Sequence, residues 1–364
     1  MEKYMVFGTF FLVCIFCIPK NDKVIRLGDT KKKRIFVFWL AAMLFLLGAL
    51  RNVRTGIDTY YYARGFLTTI LKTPIAAYWK EAVASFDSEQ GYFLLAKLFS
   101  YVLPYAQAWL AFLCLLFVVP CAILIYRYSE CPPVSILYIA AMGIYTFCWQ
   151  GLRQSIAMSI CLFAFLLLLK RKRVWFVLLV LLAFQFHRSS IVFLLALPAM
   201  NLKVDLRDYL WIAVAFLITL LAPGLVNGVL LNYFNFFDKV EDYASGGASH
   251  YTYTMFFILL LLYVACFLVK DELIERNSVN KALFNMAMLG VVFQAMAVVI
   301  AEFFRISYYF SVFNMLLVAN AGQVAAERYP KLKLRLGFLL FIVFIFFATG
   351  GFDYWFLWES KWSF

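Results

Sequence analysis

Apolar runs alternate with short polar breaks along almost the whole chain, and most approach the roughly 20 residues that a helix needs to cross a bilayer core. Read between the breaks, they predict spans near 4–18, 35–50, 105–126, 133–149, 152–169, 174–187, 190–202, 209–222, 254–269, 282–300, 303–321 and 338–350. That is about twelve transmembrane helices in an all-α, polytopic membrane fold, a single integral membrane domain over 1–364. Two longer polar and aromatic stretches interrupt the series, at 51–104 and 223–253.

Composition excludes a water-soluble enzyme. The chain is 65% apolar and 15% charged, too little polar surface to clothe a soluble domain of 364 residues. A net charge of +13 resembles a nucleic-acid signature, but in so apolar a chain lysine and arginine mark cytoplasmic loops, and no nucleic-acid partner is expected. Lys20–Arg34 holds seven basic residues, Lys170–Arg173 four and Arg328–Arg335 four, which places all three inside. Parity then requires that Tyr92–Leu103 does not cross. That run of twelve residues contains Lys97 and stops at Pro104, and it reads as an interfacial or re-entrant helix. Both termini and both long polar stretches face outward.

The eight cysteines lie mostly in apolar runs, where cysteine packs as a small hydrophobe, so no disulfide framework is expected. Cys14 and Cys17 have CxxC spacing without a second pair, and core packing is favoured over a metal. No metal and no cofactor are expected. The run Tyr4–Ile18 lacks a small-residue cleavage site and reads as an uncleaved span rather than a signal peptide.

The inside loops account for 21 of the 33 basic residues. Six arginines oppose the bias: Arg51, Arg54, Arg64, Arg153, Arg188 and Arg305. They sit in short polar patches at an outer membrane edge. Arg51 and Arg54 precede Asp58 and Tyr60–Tyr62; Arg153 is followed by Gln154 and Ser155; Arg188 lies between His187 and Ser189–Ser190; Arg305 lies between Glu302 and Tyr308–Tyr309. Arg153, Arg188 and Arg305 fall at or near predicted helix starts, where free N–H groups and the helix dipole disfavour a cation unless an anion is bound. Helix starts with forked guanidinium donors make a phosphate site. For any single arginine, snorkelling to lipid headgroups is the commoner role; the set favours the anion site. Gln154 and Ser155 also suit ordinary capping or helix packing.

His187, beside Arg188, is either an interfacial histidine or a proton acceptor. Asp58 is a second candidate base or a helix cap, and Glu302 a third or a partner that orients Arg305. Tyr60–Tyr62, Tyr78, Trp79, Phe86 and Tyr92 lie in the first outer stretch, and Tyr233, Tyr243, Tyr251 and other rings lie in the second with His250. Such rings suit sugar faces and equally an aromatic belt. Ser245–Ser249, with two glycines, breaks the 223–253 loop in the manner of a lid hinge.

In order and spacing, Arg51…Gly56-Ile-Asp58-Thr…Tyr62, Gly151-Leu-Arg153-Gln154-Ser-Ile-Ala157, Phe186-His187-Arg188-Ser-Ser190 and Arg305…Tyr309 resemble the EpsG branch of Wzy-type polysaccharide polymerases, over about 51–310. Asp238–Tyr243 resembles that family's variable outer loop. The resemblance implies a GT-C-like membrane glycosyltransferase of O-antigen, capsule or exopolysaccharide assembly in a bacterial cytoplasmic membrane, with an active site facing the periplasm or exterior. Donor and acceptor would be undecaprenyl diphosphate-linked oligosaccharides, with lipid diphosphate as leaving group, no cofactor, and a flippase and chain-length regulator of the same pathway as partners. On that reading Arg153 and Arg305 join His187 or Asp58 in catalysis. Arg51, Arg54, Tyr62, Gln154, Arg188, Glu302, Tyr243 and Tyr309 would contact substrate. An O-antigen ligase shares these features. A lipid-linked oligosaccharide flippase would instead need mid-membrane charges and internal repeats, which the sequence lacks, and an acyltransferase lacks its paired histidine–acid motif here.

Overall fold

A computed structural model describes residues 30–56, 58–84, 90–221, 250–297, 303–329, 337 and 354–358. Among them the chain is helical, with one isolated backbone bridge and no named strand. It divides into two compact units.

The first unit comprises Met1–Arg127, Ile136–Ser190 and Leu339–Phe364. Its helices are α1 Thr30–Ala49, α2 Thr59–Gly65 with a π-helical turn Phe66–Ile70, α3 Ile75–Ala84, α4 Gly91–Ser100 and α5 Ala106–Tyr128. Then follow α6 Pro132–Ala141, whose first residues belong to the other unit, α7 Ile144–Gln150, α8 Leu152–Leu169 and α9 Arg173–Phe184. α5 and α8 are long and apolar enough to cross a membrane. α6 and α7 form one span bent by 51°. The bend falls at Gly143, where φ is 70°, a left-handed backbone that side chains oppose. Without a hydrophobic drive between helices in lipid, close approach supplies the packing. Gly48 of α1 provides it, since a Cβ there would overlap Cys114 Sγ of α5. α8 and α9 are joined by a tight basic turn in which Lys172 N–H reaches Leu167 O and Arg171 N–H reaches Leu168 O, closing the last carbonyls of α8.

The second unit comprises Tyr128–Ser135 and Ile191–Phe338. A 3-10 helix, Arg188–Leu195, leads into α10 Ala196–Ala199, α11 Arg207–Leu221, α12 His250–Phe267, α13 Lys270–Arg276, α14 Val279–Met296, α15 Phe304–Ser311 and α16 Asn314–Arg328. α14 is long and apolar enough to cross; Thr252–Phe267 with α13, and α15 with α16, are pairs bent by 69° and 51°. Gly290 of α14 lets α15 approach until Ser307 Oγ donates to Gly290 O at 2.8 Å. At one end Asn320 donates to Tyr128 O and Asn280 Oδ1, while Arg276 bridges Glu130, Glu272 and Glu327.

Among the described residues three helices are long and apolar enough to cross, or up to six spans if each bent pair is one. The run 190–202 folds as a 3-10 helix and one α-turn around Pro198, and 174–187 yields a helix of only 12 residues. The run 133–149 bends at its glycine. The runs 4–18 and 338–350 lie outside the described residues. Tyr92–Leu103 yields α4, whose ten residues extend roughly 15 Å, half a bilayer core.

Candidate functional site

One end of the first unit is built from stretches far apart in sequence. As the chain leaves α1 it pairs with a C-terminal segment through the antiparallel bridge Arg51↔Phe356. Asn52 N–H donates to Trp355 O at 2.7 Å, and Leu357 N–H to Leu50 O at 2.8 Å. Thr55 Oγ1 donates to Trp355 O and accepts from Trp355 N–H, at 3.1 and 2.9 Å. Tyr354 Oη donates to Leu47 O at 2.7 Å. These bonds hold residues 47–55 and 354–357 together.

Arg51 is wholly enclosed here, with 0% exposure. Its Nη1 donates to Gly48 O, and its guanidinium carbon lies 5.9 Å from the Trp149 ring centroid. Burial pulls its pKa below the ordinary arginine value. Gln107 Nε2 donates to Ala49 O and Arg51 O, at 2.6 and 3.0 Å, fixing the same backbone from α5.

Gly56, with φ of 96°, turns the chain from this clamp towards α2. Asp58 follows and is exposed. Thr59 Oγ1 donates to Trp149 O at 2.6 Å, tying the start of α2 to the break between α7 and α8. One turn further, Tyr62 Oη accepts from Arg153 Nε at 3.1 Å. Arg153 is the second residue of α8 and half-buried.

α4 supplies the next wall. Gly91 N–H donates to Gln185 O at 3.0 Å, so α4 begins against the segment that leads to His187 and Arg188. Phe93 lies beside Arg153, whose guanidinium carbon is 5.7 Å from its centroid and 5.9 Å from that of Tyr62. Tyr92 meets Tyr62 edge-on and accepts from Trp109 Nε1 at 3.0 Å. Burial pushes the pKa of the Tyr92 hydroxyl up. Lys97, buried in α4, donates to Ile70 O and Leu71 O and so pins the π-helical turn.

A Cβ on Gly91 would stand 2.7 Å from Gln185 O, a backbone atom that no rotamer change removes. Gly91→Ala is therefore expected to cost about 1–3 kcal/mol, as overpacking does. A lower thermal midpoint in detergent checks it.

Exposure sorts the candidate residues. Arg54 and Asp58 are exposed, and Tyr62, Arg153, His187 and Arg188 are half-buried, all in the first unit. His187 N–H donates to Ala183 O and His187 O accepts from Ser190 N–H, so the turn after α9 is locally closed. Arg305 belongs to the second unit, half-buried as the second residue of α15 and 5.9 Å from the Phe304 ring. Arg51, Gln154 at 2% and Tyr309 at 1% are enclosed by protein. Glu302, Tyr243 and all but the last four residues of the 223–253 loop lie outside the described residues. Among the described residues no three His, Cys, Asp or Glu side chains form a metal-binding group.

Sequence reasoning passed over Thr59, Phe93, Gly91 and the segment Tyr354–Leu357. Thr59 and Phe93 stood within stretches already marked by their neighbours, but side-chain partners 60 to 90 residues away leave no local signal.

A protein-family model described as the EpsG family matches residues 34–358. No curated protein and no solved structure matches the chain.

Proposed function

The chain belongs to the EpsG family, and from that premise we propose that it is a GT-C-like polymerase of undecaprenyl diphosphate-linked oligosaccharide repeat units at the outer face of a bacterial cytoplasmic membrane. The family match and the apolar helices support a polysaccharide polymerase-type protein embedded in a membrane. The observation that carries the finer reading is Arg153, mounted at the start of a membrane-crossing helix and held there by Tyr62 and Phe93.

The reaction needs an acid–base group and anion stabilisation. A hydroxyl of the acceptor glycan attacks the anomeric carbon of the donor glycan, forming a glycosidic bond. The bond from that carbon to the diphosphate oxygen breaks, and its electron pair leaves with the lipid diphosphate. Arg153 and Arg188 hold this diphosphate and stabilise its growing charge. The acceptor carries a diphosphate of its own, so Arg305 has an anion to hold within the second unit. His187 or Asp58 takes the hydroxyl proton. Arg54 attracts the anionic substrates, while Arg51 holds the end of α1 through Gly48 O. A flippase supplies the repeat unit, and a chain-length regulator acts on the product.

His187→Ala and Asp58→Asn, expressed equally in cells that otherwise lack the polymerase, separate the two bases. The variant lacking the base is expected to lose about 10²–10⁴-fold in polymer formation, the usual worth of a general base. Normal polymer from both empties the assignment. Loss of the polymerase leaves single repeat units on their normal acceptor; a ligase defect would instead leave carrier-linked polymer unattached.

A further inference from the structure

Arg153 does not stand alone on its helix start. Two rings flank its guanidinium within 6 Å, Phe93 at 5.7 Å and Tyr62 at 5.9 Å, and Tyr62 Oη takes the Nε hydrogen at 3.1 Å. Each ring is itself backed. Phe93 stacks on buried Tyr78 of α3, with centroids 6.0 Å apart and planes 3° from parallel. Tyr62 meets Tyr92 edge-on at 5.1 Å, and Tyr92 is fixed by Trp109 of α5. The rings therefore form a seat anchored on four helices. Phe93 is only half-buried, which sets it apart from the enclosed core aromatics.

We infer that Phe93 and Tyr62 are positioning residues that orient Arg153 for a polyprenyl diphosphate. The inference rests on the polymerase reading only in naming that anion. The physical reason is geometric. Guanidinium donors point outward in the plane of the group, so a hydrogen bond at Nε and rings beside the guanidinium restrict the orientations from which its donors meet phosphate oxygens. An arginine on a long, rotatable stem would otherwise lose rotamer freedom on binding; the seat removes that freedom beforehand. The attraction of each ring for the cation also strengthens as water is excluded. Lysine in place of Arg153 would keep the charge and lose the plane.

The test uses the full chain in lipid nanodiscs with farnesyl diphosphate as the probe. Arg153→Ala is expected to weaken binding about 10-fold or more, as loss of a charge-assisted donor does. Phe93→Leu is expected to weaken it about 3- to 10-fold, and Phe93→Tyr to leave it within about twofold. Tyr62→Phe, which keeps the ring, is expected to cost about threefold. The decisive arm is the double variant: with Arg153→Ala already present, Phe93→Leu changes nothing further, because its effect passes through the arginine. An equal loss from Phe93→Leu in both backgrounds overturns the inference, as does undiminished binding by Phe93→Leu and Tyr62→Phe combined. If Phe93→Leu does not fold, the same cycle is run with Tyr62→Phe. Glycan extension is scored separately. Coupling without extension upholds the seat and removes the polymerase reading, whereas extension without coupling removes the seat alone.

Discussion

Arg153→Ala is expected to reduce polymer formation by about two orders of magnitude, corresponding to a barrier raised by roughly 2–4 kcal/mol, the worth of a preorganised donor to a developing anion. The leaving group concentrates this effect. Cleavage from the carrier places a full additional charge on the diphosphate, in a setting where water is partly excluded and each fixed cation counts for more. On the proposed reading Arg153 would meet that charge already oriented, because α8 fixes its Cα, Tyr62 holds its Nε and Phe93 lies beside its guanidinium. Arg153→Lys is expected to recover little, since an ammonium supplies neither the plane nor the fork. The measurement is polymer yield and length at matched membrane levels of each variant.

The second large effect lies far from any charge. Truncation of the chain after Asp353 is expected to abolish activity, although the removed residues supply none of the proposed catalytic groups. Tyr354–Leu357 provides two backbone hydrogen bonds, the paired contacts of Thr55 and the Tyr354 bond to Leu47 O. At about 0.5–1.5 kcal/mol for each bond, together with the buried rings of Tyr354 and Phe356, the loss is several kcal/mol. It falls on the stretch that enters Gly56, Asp58 and α2, and so on the position of Tyr62. Leu357→Pro tests the clamp more gently: it deletes the donor to Leu50 O, and is expected to lower both the thermal midpoint and polymer yield without changing the ends of the chain. Full activity of the truncated chain would mean that residues 50–58 hold their shape unaided.

The sequence made the helical character and the membrane setting legible because both depend on local composition. Apolar runs such as 105–126 and 152–169 correspond closely to α5 and α8. The bends within runs were less legible, because hydropathy does not register them: Gly143 splits one run into two helices, and the stretch between Ser311 and Asn314 does the same in the second unit. The outward arginines stood out as charges against the topological bias. Their fates diverged for reasons that only three-dimensional contacts reveal. Arg51 and Arg153 carry the same charge in similar polar patches, yet Arg51 is sealed under Trp149 while Arg153 sits half-buried between two rings. Thr59, Phe93 and the C-terminal clamp were silent because their partners lie 60 to 300 residues away.

The central claim is that this chain itself makes glycosidic bonds with lipid diphosphate as the leaving group. Purified protein incubated with a defined undecaprenyl diphosphate-linked repeat unit should produce a ladder of glycans spaced by one repeat, with one undecaprenyl diphosphate released for every bond formed. Unextended single repeats, in a preparation that binds the substrate or moves it across vesicles, would contradict it.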